Sequence, residues 1–307
     1  WSGIQQMGAA PTAVAGPKIK QAVEKALVLD PDLSQAHFGL AAYNTWVAWN
    51  WEKAEPAFRR AIELNPNFPD SHAYFAHYLS IMLRFDEAEL EMNRALNVDP
   101  FNPLVRALYL ACLFFWERWD EALAEAQKAL DVAPDHWLAF QVTRFIYFNQ
   151  QRFDEAVSAT RSLYTILGND AVVNALDEGM QQSGHRGAFA PAAAVLAQQA
   201  EQQFVLPTQV MALYSSAGDR ENAVKWVEKA YEVRDPELPY LRCANRFTED
   251  VMNDPRLQHV MAKLNSPEVV NGARPVSFTP VQESGHRGAS QAELPGNLLE
   301  APAFALQ

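Results

Sequence analysis

From about residue 35 to residue 170, apolar positions recur in two superimposed rhythms, one at helical spacing within a segment and one repeating every 34 residues between segments. Ala54, Phe58, Ala61 and Ile62 share one helical face, as do Ala88, Met92, Ala95 and Leu96, because residues three and four apart stack above one another along a helix. Glu52, Lys53, Glu55, Arg59 and Arg60 fall on the solvated face of the first of these. Each such stretch predicts a helix with one buried stripe. The half-unit before it, "DSHAYFAHYLSIML" for one, is helical in pattern too, and Asn102 before Pro103 is a helix-start signal, since proline's missing N–H is no loss at the first helical position. Every unit therefore predicts helix, turn, helix.

The long rhythm is carried by particular residues. Pro66, Pro100 and Pro134 stand 34 residues apart and close the phrases "RRAIELNP", "NRALNVDP" and "QKALDVAP". Ala54, Ala88, Ala122 and Ala156 recur in register, each preceded at three residues by an aromatic, Trp51, Phe85, Trp119 or Phe153, and Gly168 replaces the fourth proline. Length, small residue, aromatic and terminal proline together resemble the tetratricopeptide repeat (TPR) family. The resemblance implies an all-α, right-handed solenoid of helical hairpins whose first helices line a concave surface.

Four well-matched units span 35–170. A degenerate N-terminal repeat is expected over 1–34, two divergent units over 171–237, a helical cap over 238–265 and a proline-containing extended tail over 266–307. The phrases "WNWEKAEPAFRRAIELNP", "SHAYFAHYLS" and "AGDRENAVKWVEKAYEVRDPELPYLRCANRF" resemble the repeat regions that follow winged-helix regulators, adenylate cyclases or Ser/Thr kinases in bacterial multidomain proteins. In those proteins the catalytic or DNA-binding work is done upstream, in a module that this chain does not contain. One departure from the family pattern concerns the small residue twelve positions before the repeat alanine: Ala42 and Ala76 comply, Leu110 and Arg144 do not. Arg144 is expected either to splay its stem over apolar surface or to present its charge to a partner. The phrase "SGHRGA" occurs twice, at 183–188 and 284–289.

Composition narrows the function classes. The 307 residues contain 13 Gly, and 25 Lys and Arg stand against 37 Asp and Glu, a net charge of −12. That field repels phosphate backbones, so no nucleic-acid partner is expected. Cys112 and Cys243 lack CxxC spacing and read as small buried hydrophobes, and no apolar run is long enough to span a bilayer. The chain begins at Trp1, which is read as removal of a leader or as a piece of a longer polypeptide. The expected compartment is the cytoplasm, the alternative being the periplasm or export after leader removal.

No phosphate-binding glycine loop, GxSxG elbow or HExxH pair is present, so neither a catalytic residue nor a cofactor is expected. His72 and His77 are five residues apart, a spacing that puts them on different helix faces and argues against a metal pair. Asp86 with Glu87 and Asp120 with Glu121 suit helix N-termini, and His185 with Arg186 a solvated turn. The family's inward-facing positions fall on Tyr43, Trp46, His77, Phe114, Phe115, Gln141, Phe145, Phe148 and Asn149. These form an aromatic, nearly uncharged partner-binding groove without the Lys/Arg clamp that chaperone-type members use for a terminal carboxylate. The expected function is a non-enzymatic protein–protein interaction scaffold for apolar or extended peptide segments, including its own C-terminal tail or a neighbouring subunit of a larger assembly. The alternative is a regulatory or sensory region of a larger bacterial signalling or transcription protein.

Overall fold

A computed structural model describes residues 10–243, 251 and 253–264, and the regular structure among them is helical, without strands. Helix α1 (Thr12–Leu29) precedes a series of antiparallel pairs: α2 (Ser34–Ala42) with α3 (Trp51–Leu64), α4 (Pro69–Ile81) with α5 (Phe85–Val98), and α6 (Pro103–Phe115) with α7 (Trp119–Val132). The series continues with α8 (Trp137–Asn149) and α9 (Phe153–Ile166), α10 (Asp170–Ser183) and α11 (His185–Gln199), and α12 (Pro207–Ser216) and α13 (Arg220–Glu232). A 3₁₀ turn at Leu238–Arg242 and α14 (Pro255–Lys263) follow. Partners within a pair pack along their length, and α4, α6 and α8 also pack on one another in sequence. The molecule is an all-α solenoid of helical hairpins. The expected tail and the second "SGHRGA" lie outside the described residues.

The repeated phrase acquires a physical reading residue by residue. Trp51, Phe85, Trp119 and Phe153 are the first residues of the second helices. Ala54, Ala88, Ala122 and Ala156 are fully buried where the paired helices approach. Asp86 and Glu87, like Asp120 and Glu121, stand in first turns, where the positive helix end favours them. The preceding Arg84 pairs with Glu87 and, across hairpins, with Glu55 at 2.7 Å each. Arg118 repeats the arrangement with Glu121 and Glu89. These half-exposed pairs contribute little singly, and they recur at the same point of two successive hairpins.

Proline and asparagine set the first helices. Pro69, Pro103 and Pro207 open α4, α6 and α12, and the Asn102 side chain accepts from the backbone N–H groups of Leu104 and Val105 at 3.0 and 3.2 Å, which stabilises the exposed end of α6. The turns within hairpins pass through left-handed residues at Trp49, Leu83, Glu117 and Gln151, with φ from 52° to 60°. Non-glycine residues accept this conformation at about 1 kcal/mol. At α2 the helix runs on through a π turn, Tyr43–Val47, which carries Trp46 into the core.

Two expectations change at this level. Arg144 neither splays outward nor faces a partner: it is buried, lies over the Phe145 ring at 4.6 Å and donates from Nη2 to Gln209 Oε1 at 3.1 Å. The solenoid's curvature brings α12 against it, a cover that no local pattern reveals. His185, expected in a solvated turn, stacks on Phe153 at 4.7 Å between centroids.

Candidate functional site

The inner layer brings together three registers of residues 34 apart. One contains Tyr43, His77, Ala111 and Phe145, the next Trp46, Ser80, Phe114 and Phe148, and the third Val47, Ile81, Phe115 and Asn149. Because His77 and Phe145 are large and Ala111 is small, a void remains over α6. Its volume is about 300 Å³, and Trp46, His77, Phe114, Phe115, Gln141 and Phe145 all line it. Tyr43 lines separate depressions beside α1. Phe148 packs edge-on to Phe153 and Phe189, at 5.4 and 6.2 Å, and Asn149 ends α8 outside the cavity lining.

The cavity is roofed by the chain itself. After α13 the backbone turns at Arg234 (φ 53°), and the buried Asp235 carboxylate accepts from Thr208 N, Thr208 Oγ1 and Glu237 N at 2.8–2.9 Å. Burial pushes this carboxyl up to about 7, against the pull of those donors. Pinned there, residues 236–242 form a strap across the inner layer. Tyr240 stacks on Phe115 at 5.3 Å and meets His77 edge-on at 5.7 Å.

Hydrogen-bond directions at Tyr240 follow from donor counting. Trp46 Nε1–H can only donate, so it donates to the Tyr240 hydroxyl at 3.0 Å. The hydroxyl then donates to His77 Nδ1 at 3.0 Å, and His77 Nε2–H donates to Leu108 O at 2.9 Å, which assigns the imidazole tautomer. Burial raises the Tyr240 phenol well above its usual range, so it stays protonated and able to donate. Arg242 Nη1 donates to Ile81 O at 3.1 Å and ties down the strap's far end.

Further contacts stitch the two ends of the helical stack. Thr12 Oγ1 donates to Arg234 O at 2.7 Å, Arg234 Nη1 to Ala48 O at 3.1 Å, and Trp51 Nε1 to Leu264 O at 3.0 Å. Sequence reasoning missed Tyr74, Leu108, His136, Trp137, Glu237 and Tyr240 as lining residues. It missed Ala111 as well, for which the signal was a small residue breaking a register of large ones.

His72 and the two cysteines lie outside the lining of this cavity. His72 is buried and spent on Glu91 Oε2 at 2.6 Å and Pro66 O at 2.9 Å, and among the described residues no group of three or more His, Cys, Asp and Glu is placed to hold a metal. Both cysteines are buried, and burial pushes the Cys112 thiol far up. Neither thiol should react with Ellman's reagent in the native protein over an hour, and both should react within minutes in denaturant. Native reactivity of either would contradict this burial.

No protein-family model matches the sequence, and comparison with curated proteins returns no match. Among solved structures, the APC/C hetero-tetramer Cut9–Hcn1 is similar with a TM-score of 0.53 and 11% identity, over 85% of this chain and 47% of that one. Pseudomonas aeruginosa PilF gives 0.46 and 18%, over 75% and 97%. YrrB, a TPR protein with an unusual peptide-binding site, gives 0.39 and 18%, over 72% and 96%. The fold is TPR-like. At these identities the likeness concerns architecture alone. No helix among the described residues of this TPR-like solenoid is long and apolar enough to cross a membrane.

Proposed function

We propose that this chain is a non-enzymatic protein-interaction scaffold that binds apolar, extended peptide segments in its aromatic inner groove, as a subunit of a larger assembly. The observation that carries the reading is the strap: Pro236–Arg242, "PELPYLR", is itself a short proline-containing segment seated on Phe115, His77 and Trp46 through one tyrosine. A groove that accepts this segment in cis has the chemistry to accept a similar one in trans, because aromatic walls pair with a rigid aromatic anchor at low entropic cost. A second reading, a regulatory region of a larger bacterial signalling or transcription protein, draws on the same feature, since an internal occupant that yields to a partner is a switch.

The test is a labelled peptide of residues 234–242, titrated by fluorescence anisotropy. In the wild type the tethered strap competes at millimolar effective concentration, so binding should be weak. Tyr240→Ala, or Arg242→Ala if the first variant loses its circular dichroism, should bind the peptide at least about tenfold more tightly. The peptide with alanine at the tyrosine position should not bind. Equal, absent binding to all forms would overturn the reading.

A further inference from the structure

With the strap in place the cavity over Ala111 persists, and at about 300 Å³ it is roughly twice the ~150 Å³ of an apolar cavity that takes benzene. Its walls include the rings of Tyr74, Phe114, Phe145 and Trp137. Two polar atoms of its lining residues, Gln141 Oε1 and His136 Nδ1, make no hydrogen bond within the protein. Gln141 is 3% exposed, lines the cavity, and its Oε1 makes no hydrogen bond within the protein. A buried carboxamide oxygen left so is unfavourable, and it calls for a donor from outside the chain, a water or a ligand. The register sharpens the point: the positions equivalent to Gln141 are Gly39, Ala73 and Ala107, so of these four it is the one in the hairpin facing the void that carries a long polar side chain.

His136, on the cavity's rim, also has a ring nitrogen, Nδ1, without a protein partner. Burial lowers its affinity for a proton, so it offers no cation to an anionic ligand. Glu237, the acidic residue of the lining, opposes anions further and is approached by Gln209 Nε2 at 3.4 Å. Any charged ligand would exchange water for apolar walls at high cost.

We propose that this cavity is a binding site for a small, uncharged aromatic molecule of one or two rings, carrying one hydroxyl, amide or ring N–H that pairs with the Gln141 carboxamide. The rings fill the space that Ala111 leaves, and the polar group gives orientation. This site does not depend on a peptide entering the groove, because it exists beneath the closed strap.

The experiment is calorimetric titration of the wild-type chain with 2-naphthol, naphthalene and 2-naphthoate. The expected result is a Kd of about 0.1–1 mM for 2-naphthol and affinities at least about tenfold weaker for the other two, the worth of one buried hydrogen bond or of burying a charge. Gln141→Leu should bring 2-naphthol down to the level of naphthalene. Ala111→Phe, which copies the register residue Phe145, should abolish binding of both while leaving the helical circular dichroism intact. If that variant aggregates, Ala111→Leu takes its place, and nuclear Overhauser contacts between 2-naphthol and the Phe114 and Phe145 rings in the wild type supply a variant-free check. No binding of 2-naphthol to the wild type, or unaltered binding in the cavity-filled variant, would overturn the proposal. Binding of 2-naphthol alongside failure of the 234–242 peptide would leave this site standing and remove the peptide reading.

Discussion

Tyr240→Ala is expected to lower the free energy of unfolding by about 3–5 kcal/mol, the usual loss for deleting a buried aromatic ring. The ring stacks on Phe115 and abuts His77, and its hydroxyl sits between Trp46 Nε1 and His77 Nδ1, so truncation opens a void and strands a buried donor and acceptor together. Tyr240→Phe separates the two contributions. It keeps the ring, removes the hydroxyl and should cost about 1–3 kcal/mol. Urea unfolding of the three proteins, with hydrogen exchange read at residues 234–243, gives the comparison. A Tyr240→Ala protein as stable as the wild type would mean that the strap contributes nothing to the closed state.

Glu125→Ala should cost about 3 kcal/mol, whereas the double change Arg106→Phe with Glu125→Ala should leave stability within about 1 kcal/mol of the wild type. Glu125 is almost fully buried and holds Arg106 Nη1 at 2.5 Å across α6 and α7. One repeat earlier the same two positions are His72 and Glu91, again paired. In the flanking units they are Phe38 with Ala57 and Phe140 with Ala159. The fold thus contains both a polar and an apolar solution to one packing site. Removing one ion leaves the other uncompensated, while swapping both copies an arrangement the neighbouring hairpins already use. Denaturant titration of single and double variants decides it, and a double variant no better than Glu125→Ala would show that the sites are not interchangeable.

The hairpins were legible in the sequence because their determinants are local. Trp51, Phe85, Trp119 and Phe153 mark helix starts, and Ala54 and its equivalents mark close approach, through contacts within one or two turns of chain. Six of the expected groove residues line one cavity, because projecting one unit's geometry onto the next keeps neighbouring registers together; that placement says nothing of a partner. Tyr240 was not, since its partners Trp46 and His77 lie 194 and 163 residues away. Arg144 failed similarly: its cover comes from Gln209, 65 residues on. Periodicity specifies how a hairpin meets its neighbour. It carries no information about which distant hairpins the accumulated curvature will bring together.

The stitches between Thr12 and Arg234, Trp51 and Leu264, and Tyr240 and Trp46 bear on how such a chain can change over evolutionary time. An open solenoid tolerates gain or loss of a unit, because each repeat touches only its neighbours. Here, deleting one 34-residue period would move Arg234, Tyr240 and Leu264 away from all of these partners at once. Repeat number, ordinarily the freest variable in such proteins, becomes a fixed quantity, and duplication of an internal hairpin would be selected against as strongly as a core mutation.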